Sequence, residues 1–158
     1  LETGSATGTE YIDEEISTRV IYSYKIKSEN VSDNLSEFSD SLSYMLLPST
    51  SLSSMTPNGQ FDTLDGDRSL AWGHDGYSVE MEDYIITVVS QNNQFIYRSS
   101  FQPSNYVGGA ESVSIPTDIE LSPGKVYLWR VDNGARYINS LETAASESPW
   151  ATFLYMGE

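Results

Sequence analysis

The 158-residue chain has no cysteine. That absence removes disulfides, zinc–thiolate centres and thiol nucleophiles together. It leaves the redox compartment open, and a Cys-free chain rich in Ser, Thr, Tyr and Asn is compatible with an extracellular product. Cations are scarce as well: 8 Lys and Arg stand against 23 Asp and Glu, a formal net charge of −15. With no basic stripe to neutralise phosphates, nucleic acid and anionic membrane surfaces are excluded as partners. No apolar run approaches the roughly 18 residues of a membrane span, so no membrane insertion is expected. The opening "LETGSATGTE" lacks the basic and apolar regions of a signal peptide. Residues 1–8 read as a flexible start or cloning remnant and stay outside the fold argument.

What is present is β-patterning. Ile16, Thr18, Val20, Tyr22, Tyr24 and Ile26 share one parity, with Ser17, Arg19, Ser23, Lys25 and Lys27 on the other, which predicts a long half-buried strand. The period then changes. Leu35, Phe38, Leu42 and Met45 recur at three or four, Asn34 and Glu37 fit a capping box, and Pro48 supplies a stop, so a short helix is expected over 34–46. The stretch 48–59, "PSTSLSSMTPNG", reads as a connection. Strands follow at "SLAW" (69–72), "DYIITVVSQ" (83–91), "QFIYRSSF" (94–101), "ESVSIP" (111–116), "KVYLWRVD" (125–132) and "WATFLY" (150–155). "QNNQ" joins two of them as a hairpin, while "GHDGYS", "NYVGGA" and "DNGAR" read as turns. Short strands at this spacing, without a fixed repeat, describe an all-β antiparallel sandwich. The division expected is an extension over 9–56, a long strand plus a helix packed on the sandwich or on a neighbour, followed by a sandwich over 57–158.

The stretch "LSPGKVYLWRV" sharpens this. Tyr127, Trp129 and Val131 share a parity and should face the core, with Leu128 and Arg130 outside. A buried Tyr must place its hydroxyl, and the bend a few residues upstream offers a backbone group. At these residues the sequence resembles the fibronectin type III family, whose pattern is Leu, then Pro-Gly, then a Tyr opening the sixth strand; the matching positions are Leu121, Pro123, Gly124, Tyr127, Trp129 and Val131. Trp72 stands where members carry the core Trp of the second strand, and Tyr84 resembles the Tyr opening the third. "SPWATFLY" resembles the last strand of many bacterial members. The resemblance covers residues 57–158 and implies an Ig-like sandwich with those residues as fold determinants. It departs from the pattern in a long loop after Asp132, in an unusual middle region "FQPSNYVGGAESVSIP", and in the extension, and no Arg-Gly-Asp occurs.

Chemistry-bearing candidates are few. His74, the only histidine, has no nucleophile elbow around it and reads as a turn residue. Among 23 acids chance proximity is expected, and no carboxylate pair sits in a pocket-forming motif, so no enzyme is expected. Asp62, Asp65 and Asp67 offer hard oxygens suited to calcium, but their spacing is not that of an EF-hand, no bidentate Glu stands at the right distance, and they read as an Asx-rich turn entering the second strand. Tyr137, in the loop from Asp132 to Ser148, is a candidate aromatic ligand contact. Asn30 and Asn34 open "NVS" and "NLS", two N-glycan acceptor triplets. No cofactor is expected.

Resemblance and composition imply a non-catalytic extracellular or cell-surface structural or adhesion module. Its N-terminal strand would assemble copies into a filament or surface layer by strand addition. A protein partner or self-association is therefore expected. The alternative is a carbohydrate-binding accessory module of a secreted glycan-degrading system, with a glycan as partner.

Overall fold

A computed structural model describes residues 10–64, 66–74, 80–102, 109–136 and 143–157. In chain order the strands are β1 (Ile21–Tyr24), β2 (Leu42–Leu46), β3 (Met55–Thr56), β4 (Thr63–Leu64), β5 (Ser69–His74), β6 (Glu80–Ser90), β7 (Phe95–Phe101), β8 (Gly109–Ser114), β9 (Lys125–Arg136), β10 (Thr143–Glu147) and β11 (Ala151–Tyr155). They form two sheets. The small one runs β3-β5-β8, and the large one is built on β6 and β9, with β7 outside β6. On its other side β9 pairs with β10 through Asp132–Arg136 and with β11 through Lys125–Trp129. Between those two ladders the Val131 N–H donates to the Ser148 hydroxyl at 3.0 Å, ahead of Pro149. The hydroxyl supplies an acceptor where the β10 and β11 ladders leave off.

The apolar faces meet between the sheets. Leu70 and Trp72 from β5 pack with Tyr84, Ile86 and Val88 from β6, Trp129 and Val131 from β9 and Phe153 from β11, all essentially without solvent exposure. Strict alternation makes this possible, because every second side chain of a strand points to one face. Burial of each such side chain stabilises by roughly 1.5–3 kcal/mol, with the aromatic pairs adding to that. Trp72 stands edge-on to Tyr84 at 5.4 Å and to Trp129 at 6.4 Å, and the Trp129 Nε1–H donates to the Pro57 carbonyl at 2.8 Å. Met45, Leu47 and Met55 belong to the same core, so residues before Pro57 help to build it.

Below the core the chain is pinned at a corner. The Tyr127 hydroxyl accepts the Ser122 N–H at 2.9 Å; it uses the upstream bend as a donor rather than finding an acceptor there. Gly124, at φ +76, turns the chain and donates its N–H to the Tyr155 carbonyl at 2.7 Å. Beside it Arg68 is buried, its guanidinium donating to the carbonyls of Ile119 (2.9 Å) and Pro116 (3.2 Å) and to the Tyr155 hydroxyl (2.9 Å). One cation thus ties the loop before β9 to the end of β11.

Four expectations change. The helix over 34–46 is absent: residues 42–46 form β2, antiparallel to β1 with Ile21 opposite Met45 and Tyr24 opposite Leu42. Serine is a weak helix former whose hydroxyl competes for backbone groups, and here Ser39 and Ser36 accept the N–H groups of Ile26 and Ser28. The two chain segments continue as a hairpin arm to a turn at 30–34, through Ser36 N–H to Ser28 O (2.8 Å) and Asn30 N–H to Asn34 O (3.0 Å). Second, the long half-buried strand contracts to Ile21–Tyr24, and Val20 and Ile26 are exposed. Third, "DNGAR" is no turn, because β9 runs through it to Arg136, and β10 lies in the stretch read as a loop; the buried Asn133 donates to the Ser146 hydroxyl at 3.1 Å, which ties the two strands. Last, His74 ends β5 opposite Gly109 instead of sitting in a turn, and the connection 48–59 contains a 3-10 turn (Leu52–Ser54) and β3. The "QNNQ" hairpin forms between β6 and β7, with Asn93 at φ 60.

Candidate functional site

The outer face of the large sheet is where side chains are neither core nor plain solvent surface. Parity sends Arg130 and Asp132 of β9 outward, between the buried Trp129, Val131 and Asn133. Glu147 lies opposite Asp132 in the ladder. The Arg130 guanidinium donates to Glu147 through Nη1 (2.6 Å) and Nη2 (3.1 Å), and Nη2 also reaches Asp132 at 3.3 Å. Its Nε approaches Asp132 Oδ1 to 3.1 Å as an ion pair without hydrogen-bond geometry. The same guanidinium lies 5.0 Å over the Trp150 ring, whose own exposure is 39%. The guanidinium thus engages Glu147 through two nitrogens while lying over Trp150, a geometry that favours one orientation of the side chain.

Burial pushes the Asp132 carboxyl above its usual range, against the opposing pull of Arg130 and with a further push from Glu147. Next along the face stands Tyr44 of β2. Its hydroxyl is pushed up by burial and then by the Glu147 charge. Tyr22 and Tyr24 of β1 stack on each other at 6.5 Å. Tyr24 is also pushed up, by burial first and by Asp13 second, and donates its hydroxyl proton to Asp13 Oδ2 at 3.0 Å. An aromatic and charged band therefore crosses from Trp150 to the root of the arm.

Beyond that root the arm carries exposed apolar side chains: Ile26 (75%), Val31 (105%), Leu35 (53%), Phe38 (58%) and Leu42 (70%). Monomeric proteins seldom leave such a series without a partner. Lys27 lies 5.3 Å over the Phe38 ring.

The sequence candidates fall elsewhere. Asp62 Oδ2 accepts the Asn58 N–H (2.9 Å) and Asp67 Oδ1 the Ser69 N–H (3.3 Å), so both carboxylates serve local turns; Asp65 lies outside the described residues. Among the described residues no group of three His, Cys, Asp or Glu is placed to hold a metal ion. Tyr137 also lies outside them. Asn30 and Asn34 are exposed at the arm's turn, where Asn30 Oδ1 accepts the N–H groups of Ser32 and Asn34. No described helix is long and apolar enough to cross a membrane. Sequence parity placed Arg130 outward but did not reveal its partners, because Glu147 sits on a strand hidden in a stretch read as a loop.

Leaving aside β1, β2, β4 and β10, seven strands remain among the described residues, with Trp72 on the second, Tyr84 on the third and Tyr127 on the sixth. The two sheets and the tyrosine-pinned corner make the fold a fibronectin type III-like β-sandwich. The sequence matches no family model and no curated protein. Among solved structures, the FN1–FN3 domains of chicken CNTN1 align with 92% of this chain at 15% identity and a TM-score of 0.40, and the chain spans 46% of that structure.

Proposed function

We propose that the protein is a non-catalytic extracellular or cell-surface module, structural or adhesive, that meets protein partners through its N-terminal arm and the band beside it. The observation that carries this reading is the run of exposed apolar residues from Ile26 to Leu42 on a hairpin that projects from a well-packed sandwich. A rigid body with a sticky, ordered extension suits contact between surfaces, since the body orients the arm and loses little entropy on binding. The net charge of −15 weakens contact between copies in dilute solution.

Beads coated with the protein test this directly. Beads carrying the native chain are expected to cluster, and beads carrying the Ile26→Ser/Phe38→Ser variant to stay dispersed while its sandwich unfolds at the same denaturant concentration. Native-chain beads that never cluster would sink the reading.

A further inference from the structure

β1 is the open edge of the large sheet, pairing among the described strands with β2 alone. Its charge pattern is unlike the rest of the chain. From Ile16 to Ser28 there are three cations, Arg19, Lys25 and Lys27, and no acid, in a chain of net charge −15. Directly before it come four acids, Glu10, Asp13, Glu14 and Glu15. The acidic segment folds back on β1 without entering the ladder. The Ser17 N–H donates to the Tyr22 hydroxyl at 2.9 Å and the Tyr24 hydroxyl to Asp13 at 3.0 Å, while Tyr11 and Ile12 remain 57% and 78% exposed. The fold-back turns at Thr18–Arg19, where Arg19 takes φ 65. That left-handed conformation is strained for a non-glycine residue.

We propose that residues 10–17 are exchanged between copies of this chain, the acidic segment of one adding as a strand to the free edge of β1, flanked by Arg19, Lys25 and Lys27, in another. Opening the Thr18–Arg19 turn relieves the left-handed arginine. It also frees the backbone groups of residues 10–17 for ladder hydrogen bonds that the folded-back segment does not make. Eight extended residues reach about 26 Å, enough to cross to a second molecule. Charge favours this pairing over β1 against β1: the acidic segment brings carboxylates to Arg19, Lys25 and Lys27, whereas a second β1 and its flanks bring no acid. The tethered segment competes at an effective concentration on the order of millimolar. Exchange therefore belongs to copies crowded at high local density, as on a surface. The inference rests on the reading of this region as the contact region.

The test is light scattering on the full chain over a concentration series, with Lys25→Glu/Lys27→Glu and Glu14→Lys/Glu15→Lys as charge-reversed acceptor and donor. Native chain is expected to gain mass with concentration and to lose that gain in high salt. Each double variant alone should return to the single-copy mass, and an equimolar mixture should recover at least the mass of two copies, because each variant's donor then suits the other's acceptor. Tryptophan fluorescence in denaturant checks that both sandwiches stay folded. A native chain that remains single at every concentration overturns the proposal, as does a double variant that associates alone or a mixture that fails to recover. Bead clustering through the arm without recovery in the mixture would leave the module reading standing and remove the exchange.

Discussion

The sandwich and the arm are both held by antiparallel pairing, yet only one of them is finished. In β6 and β9 every inward side chain from Tyr84 to Val88 and from Tyr127 to Val131 is buried against the opposite sheet. In the arm the apolar residues Ile26, Leu35, Phe38 and Leu42 meet water, and the hairpin is held largely by backbone and serine hydrogen bonds. Pairing therefore makes a strand, and burial depends on whether a second layer is present to receive it. Stability lives in the body, and the arm is built with exposed apolar surface in place of a core.

That separation can be broken or sharpened in order of size. Trp129→Ala should cost about 3–5 kcal/mol in denaturant unfolding, since it opens a cavity between the sheets and strands the Pro57 carbonyl. Arg68→Ala comes next, at about 2–3 kcal/mol, because the carbonyls of Pro116 and Ile119 lose a charged donor in a buried site. Tyr127→Phe keeps the ring and removes the acceptor for Ser122, and unfolding should weaken by about 1 kcal/mol.

Asp132→Asn should have an effect near zero or slightly stabilising at neutral pH, within about 1 kcal/mol. The sign follows from linkage. A carboxyl whose folded pKa is raised binds its proton more readily in the folded state, so its contribution to stability is greatest below the unfolded pKa and falls as pH rises through the raised folded value. The Asn variant should lack that fall when unfolding is followed across the acid range. A loss of more than about 2 kcal/mol would show instead that the Arg130 cluster anchors the body. Smallest of all, Phe38→Ser should leave sandwich unfolding within about 0.5 kcal/mol of the native chain. A larger loss would mean that arm and body fold as one.

The sandwich was legible because its signals are local. Alternation in "DYIITVVS" and "KVYLWRV" gives β6 and β9, and Asn93 gives the hairpin after β6. The arm was misread because spacing of three or four among Leu35, Phe38, Leu42 and Met45 imitates a helix, while the deciding forces are serine hydroxyls and pairing with a segment that precedes it by up to two dozen residues. β10 was hidden for a different reason. "TAASE" has little β-branched or aromatic content, and it follows an Asn-Gly that usually marks a turn, so only its pairing with β9 and β2 makes it a strand. The Arg130–Glu147–Trp150 cluster inherits that concealment, because it forms only once β10 is in register.

The neighbours that β10 and β11 acquire have a mechanical meaning. β2 runs parallel to β10, and β4 runs parallel to β11. A pull applied ahead of β4 and beyond β11 therefore drags the two strands lengthwise past each other. Their hydrogen bonds resist together, as a lap joint does, rather than parting one by one like a zip. The short parallel-paired strands β2 and β4 thus double as a grip along the line of such a pull.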